Sequence, residues 1–285
     1  MATKQQDAQI SVMEVQRGEI EFCVLGSTPL ICNRMSEKVK RELLMPAGKK
    51  TAADKASNLK HNPMEEFRAS PYTLNDEGSP TLLALMSSAF KGALRTAALD
   101  MPGAKKAQIG RLTWVEGMYT PVYGIPQLFM SVTRSADMNK TPDVRTRAII
   151  PEWACRVTIS FVKPILREQV VANLFAAAGI TMGVGDWRTE KGAGNFGQFR
   201  LVSRDDKDFL RIVKAGGRRA QSEAMKAPQC YDTETEEMLS WFDAEAKRRG
   251  HKVPSGLEIV SNIHEPEAIM PKARRSRANG SGATA

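Results

Sequence analysis

The sequence is poor in the groups most enzymes use near neutral pH. Its three histidines, His61, His251 and His264, have no second histidine or cysteine at zinc-ligand spacing, which argues against a structural zinc site and leaves little material for general-base work. The four cysteines, Cys23, Cys32, Cys155 and Cys230, lie far apart with no CxxC pair and read as buried free thiols. GxxxxGK[ST], GxSxG and HExxH are all missing, so neither a P-loop nor the common hydrolase signatures apply. No apolar run approaches the ~18 residues of a membrane span. The amino terminus also lacks the apolar core of a secretory signal. The expectation is a cytoplasmic protein of a bacterial host that meets no membrane, is not an enzyme, and carries no cofactor, no metal and no catalytic residue.

What is present is positive charge. Lysine and arginine number 41 against 32 acidic residues, for a net charge of +9, which favours an anionic partner. The 285 residues suffice for one large domain with insertions. Residues 1–18 read as a polar, disordered arm and residues 19–203 as the main domain. Residues 204–264 read as a helical extension, and 265–285 as a disordered basic tail carrying Lys272, Arg274, Arg275 and Arg277. Within the main domain, residues 48–70 are polar and basic and form a surface excursion, either a solvated loop or a basic finger presenting Lys49 and Lys50 to a polyanion.

The periodicities give a coarse map. Ile20, Phe22 and Val24 alternate with polar neighbours, predicting a half-buried strand over 19–26. Residues 36–44 suggest a short helix. The apolar recurrence over 81–99 predicts a buried helix with Lys91 and Arg95 emerging four apart on one face. Hairpins are expected over 110–132, a strand over 156–162, a second helix over 164–178 stopped by Gly179, and a last strand through Phe199, Leu201 and Val202. Strand, helix, strands, helix, strand is the order of an α+β, ferredoxin-like (RRM-like) βαββαβ core with a large insertion.

The stretch from Gly183 to Arg200, GVGDWRTEKGAGNFGQFR, is the densest in binding chemistry. Gly183, Gly185, Gly192, Gly194 and Gly197 permit close backbone approach, Arg188 and Lys191 supply charge, and Trp187 and Phe196 supply flat apolar faces. Gly192, Gly194 and Gly197 spell GxGxxG, but here a helix precedes the loop and a strand follows it. A dinucleotide fingerprint requires the reverse order. Arg145 and Arg147, two apart in an extended segment, project from one face and add phosphate donors. Trp187 reads either as a base-stacking platform or as a core residue.

Three stretches carry a family likeness. FKGALRTAA at 90–98 resembles the helix start of RAMP proteins, the repeat-associated family that forms the backbone subunits of CRISPR effector complexes. GVGDWRTEKGAGNFGQFRLV resembles that family's glycine-rich loop. With MEEFRAS at 64–70 and RTRAIIPEWACRVTISF at 145–161, the combination is similar to phage and prophage proteins with RAMP-like features. The likeness covers roughly residues 18–203. It implies an RRM-like domain that binds single-stranded RNA or DNA through the backbone, with copies stacking side by side as a homo-oligomer. It also implies a thumb-like role for 48–70, and it matches Lys91, Arg95 and residues 183–197 to the binding site. No residue matches the histidine or loop aspartate with which some RAMP proteins cut RNA, so cleavage is not implied. The family's glycine-rich turn is replaced by Ser87-Ser88-Ala89-Phe90. The expectation is therefore a non-catalytic, largely sequence-independent single-strand binder. The alternatives are a nuclease acting through Asp186 or Glu152, or an assembly protein with an acidic partner.

Overall fold

In the computed structural model, residues 13–35, 40, 43–45, 61–134, 142–191 and 194–251 are described. The alternation of Ile20, Phe22 and Val24 builds β1 (Gln16–Gly26), the spine of the larger sheet. Its ladder with β9 (Ala154–Lys163) runs back to the pair Gln16 and Lys163, so the strand starts inside the segment expected to be an arm. Backbone pairing, rather than side-chain pattern, sets that end.

Strand β10 (Phe199–Val202) flanks β1 on one side and β9 on the other. Beyond β9 lie β6 (Tyr119–Tyr123), β4 (Leu83–Met86) and β3 (Tyr72–Thr73), while β5 (Thr113–Val115) also pairs with β9. All these pairs are antiparallel. A separate three-stranded sheet runs β2 (Leu30–Ile31), β8 (Pro142–Ile150), β7 (Gln127–Arg134). The fold is α+β.

The helix expected over 81–99 is in fact a strand followed by a helix. Residues 83–86 pair with β3 and β6, and helix α2 begins only at Ser87 and runs to Ala97. A short apolar run fits strand and helix equally by periodicity, and here the available sheet edge decides. The second helix expected in the main domain spans Glu168–Thr181, later than 164–178, and runs through Gly179 rather than stopping there, because that glycine packs against Phe199 O instead of turning the chain. The excursion also contains a core element: helix α1 (Pro63–Ala69) buries Met64 and Phe67 and packs on β8. Helix α3 (Lys106–Leu112) follows α2, and α4 is the Glu168–Thr181 helix. Residues 1–12, 48–60, 252–264 and the tail from 265, and most of the helix expected over 36–44, lie outside the described residues.

Helices α2 and α4 cover one face of the large sheet, burying Phe22, Val24, Val157, Ile159 and Phe161 with Phe90, Leu94, Val171 and Phe175. On the opposite face, Cys23, Leu25 and Ala154 meet Phe209 and Ile212 of α5 (Lys207–Ala215). Helix α6 (Arg218–Lys226) is tied to the sheet by a fully buried amide. Gln221 Oε1 accepts from the backbone N–H groups of Leu82 and Leu83 (2.8 and 2.9 Å), and its Nε2 donates to the carbonyls of Val122 and Gly124 (2.7 and 2.9 Å). Helix α7 (Thr233–Arg248) docks beside β7, where Thr235 Oγ1 accepts from Met130 N at 3.2 Å. No helix among the described residues is long and apolar enough to cross a membrane.

Gln221 satisfies four backbone groups that would otherwise be buried without partners. Gln221→Ala is therefore expected to lower unfolding free energy by at least about 3 kcal/mol, read as a shift in the urea midpoint. A loss below about 1 kcal/mol would show that water replaces the amide.

Candidate nucleic-acid interface

The glycine-rich loop owes its composition to its own packing. Val184 N donates to Gly197 O (2.9 Å), Gly197 N to Pro29 O (2.8 Å) and Asp186 N to Ile31 O (3.0 Å), so the two ends of the loop are laced together and onto β2. A Cβ on Gly197 would lie 1.7 Å from Val184 O, and one on Gly194 would lie 1.7 Å from Trp187 O. Trp187 itself takes a φ of +47°, a conformation that costs a bulky residue free energy and persists only where its surroundings enforce it. Phe196 N, donating to Trp187 O at 3.2 Å, and Gly194 are part of that enforcement.

The aromatic members divide. Phe199 is fully buried in the main core. Trp187 and Phe196, 6.1 Å apart, are half-buried against Phe129 at 6.3 and 6.5 Å, with Tyr231 closing the group. Trp187 thus meets Phe129 edge-on while keeping part of its surface exposed.

On one flank of the loop lies a cleft of about 430 Å³. Its floor and one wall come from α2, whose Ser88, Lys91, Gly92, Arg95 and Thr96 share a helical face. Gly183, Val184, Gly185, Arg188 and Glu190 of the loop form the other wall, and Lys106 at the start of α3 joins them. Lys91 and Arg95, paired from sequence, therefore meet Gly183, Gly185 and Arg188. Among the described residues, the side chains of Lys91, Arg95 and Lys106 make no hydrogen bond or ion pair. Helix α2 has no side-chain cap and no acidic residue in its first turn, which leaves the positive end of its dipole beside Ser88 and Ala89 in the cleft. Unpaired cations and an uncapped helix start together favour an anion.

Gly92 differs from the packed glycines of the loop. It sits mid-helix, where glycine costs about 1 kcal/mol relative to alanine. A Cβ there would meet nothing within 4 Å. No described residue requires it, and the space above it is the cleft.

The remaining expected residues stand elsewhere. On β8, Arg147 is pulled below the usual arginine range by burial, an effect opposed by its ion pair with Asp186 on the loop's other flank. Arg145, opposite Ser131, is exposed on the same strand, and Lys191 is exposed at the loop tip. Lys49, Lys50 and Gly192 lie outside the described residues. Glu152 is held in a two-pronged pair by Arg211 (2.8 and 2.9 Å), whose hydrogen bonds keep its carboxyl below the usual carboxylate range. Sequence reasoning missed Lys106, Glu190 and Gly92. Lys106 lies in no motif, but a glycine between Lys91 and Arg95 inside a helix was a legible signal.

The two acids differ in structural weight. Asp186→Ala would leave Arg147 buried without its partner and is expected to lower stability by about 2 kcal/mol. Glu152→Ala, at an exposed pair, is expected to lower it by less than about 0.5 kcal/mol. Urea unfolding of both variants checks this, and equal losses would contradict the difference in burial.

No family model matches the sequence, and no curated protein matches it. Among solved structures, the chain is similar to one in the cryo-EM structure of the Type III-B Cmr-beta bound to cognate target RNA, at 11% identity and a TM-score of 0.34. That likeness covers 66% of this chain and 59% of the other, so the chain spans under two thirds of that neighbour. It is also similar to Cmr6 from Pyrococcus furiosus, at 10% identity and a TM-score of 0.31, over 66% of this chain and 99% of that one.

Proposed function

We propose that the protein binds single-stranded nucleic acid, RNA or DNA, through its phosphate backbone, without catalysis and largely without regard to sequence. The observation that carries this reading is the convergence of Lys91, Arg95 and Lys106, all without a side-chain partner among the described residues, around the open space over Gly92. Cations four apart on a helix have Cβ atoms about 5–6 Å apart, a scale suited to successive groups of an extended polyanion. A narrow cleft with few aromatic faces suits a backbone better than stacked bases. Asp186 and Glu152 are both engaged by arginines, which supports binding over hydrolysis.

The fold assignment belongs to the same proposal. Strands β10, β1, β9 and β5, with α2 between β1 and β5 and α4 between β9 and β10, have the order and antiparallel pairing of a ferredoxin-like core. We read the protein as RAMP-like, of phage or prophage type, with copies able to assemble side by side along a strand. The supports are this strand order and the likeness of FKGALR and the glycine-rich loop.

The salt dependence of binding is the first test. Affinity for a labelled single strand should fall steeply between about 50 and 200 mM salt, with a log–log slope of ~0.7 per phosphate contact. Replacing Lys91, Arg95 and Lys106 together by alanine should flatten that slope by roughly 2. A slope that is flat in the unmodified protein would sink the proposal.

Gly92 gives a test with opposite signs. Gly92→Ala is expected to stabilise the fold by up to about 1 kcal/mol in thermal or urea unfolding. The added methyl group enters the occupied space, so affinity for the strand should fall several-fold. Unchanged affinity in a stabilised protein would show that the ligand does not approach α2 closely.

A further inference from the structure

One acidic side chain stands in the cationic cleft. Among the described residues, four cationic ones, Lys91, Arg95, Lys106 and Arg188, line it with a single carboxylate, Glu190. For a site that held only phosphates, this carboxylate would be a repulsive defect. It is nevertheless held firmly. Glu190 N donates to Met182 O at 3.1 Å, and its Oε2 accepts from Arg188 Nε at 2.7 Å. Arg188 Nη1 in turn donates to Gly185 O at 3.1 Å. The side chain is about three-quarters buried, at 24% exposure. The second oxygen, Oε1, accepts no hydrogen bond from any described residue.

An ionised carboxylate can accept from about four directions and donates nothing. What fits its free oxygen is a donor on the ligand, close to the phosphates that the lysines take. Phosphates offer only acceptors, and a deoxyribose offers no hydroxyl at the 2′ position. A ribose offers its 2′-hydroxyl, the group by which a protein distinguishes RNA from DNA at a given site. We infer that Glu190, fixed by Arg188, accepts the ribose 2′-hydroxyl and makes the cleft selective for RNA. This rests on the single-strand reading of the cleft and names which strand it takes.

The same geometry explains why Arg188 differs from its neighbours. Its charge is matched by Glu190, so it serves as the holder of the acceptor, while Lys91, Arg95 and Lys106 serve the phosphates. The deoxyribose–phosphate backbone of a DNA strand would meet the carboxylate with no donor to offer it. Rejection then comes from the unpaired, partly desolvated oxygen.

The test compares single-stranded RNA, DNA and 2′-O-methyl RNA of one sequence on the full chain, at fixed salt. The unmodified protein should bind RNA about tenfold more tightly than DNA, the low end of what a charge-assisted hydrogen bond carries. The 2′-O-methyl strand should bind like DNA. Glu190→Ala should bring the RNA-to-DNA ratio close to one, whereas Glu190→Gln, which keeps a hydrogen-bonding head beside Arg188, should retain a preference. A purely structural role would move all three affinities together and leave their ratio alone. A ratio unchanged in Glu190→Ala, or a 2′-O-methyl strand that binds like RNA, would overturn the inference and leave the single-strand reading standing. Failure of all three strands to bind the unmodified protein would overturn both.

Discussion

The position of every wall of the cleft depends on one cluster of rings. Phe90 of α2, Phe175 of α4 and Phe199 of β10 meet at centroid distances of 5.2 to 6.2 Å, with Phe22 of β1 against Phe175 at 5.3 Å. All but Phe22 are essentially without exposure. Each such ring contributes about 1.5–3 kcal/mol by burial, and each edge or tilted pair a further fraction to about 1.5 kcal/mol. Phe175 and Phe199 bracket the glycine-rich loop, and Phe90 lies on the helix that faces it. The cluster therefore fixes the two ends of the loop and the opposing helix at once. Gly179 completes the arrangement, because a Cβ there would lie 2.1 Å from Phe199 O and push α4 away from β10.

From that anchor the loop can only fold on itself. Its ends are laced by Val184 and Gly197, its middle is turned by Trp187 in a left-handed conformation, and its far flank is pinned by Asp186 to Arg147. The glycines make those approaches possible. They are thus a consequence of building a rigid wall from irregular backbone, and rigidity is what a binding wall needs if its charged groups are to be pre-placed. The glycine whose space stays open is on the other wall, in α2. A glycine packed against backbone and a glycine beneath open space are different things, and here they face each other across about 430 Å³.

Much of this was legible in the chain. The β1 alternation, the loop between a helix and a strand, and the emergence of Lys91 and Arg95 on one face are local patterns, and local patterns survive folding. What was not legible depended on partners distant in sequence. Leu83 to Met86 became a strand because an edge lay open for them, which no window of neighbours reveals. Met64 and Phe67 looked like isolated apolar residues in a polar excursion, yet β8 gives them a core. Gln221 reads as one polar residue in a charged helix, and only the sheet's free N–H and C=O groups make it the tie for α6. Lys106 and Glu190 likewise acquire meaning from the cleft.

Net charge was the weakest guide, because it does not say which charges are free. Arg147, Arg188 and Arg211 each face a carboxylate at hydrogen-bond range, closely and half-buried for the first two and at the exposed surface for Arg211. An anionic ligand would have to outcompete those carboxylates, so these arginines are structural or holding groups. Lys91, Arg95 and Lys106 have no such competitor among the described residues and lie within one concave surface, with the start of α2 adding its dipole. Their field is focused rather than spread, which is the condition under which a modest number of cations selects a ligand instead of merely attracting one. The chain thus separates its positive charge into groups that hold the loop and groups that face the cleft, and the second set is where a polyanion gains most.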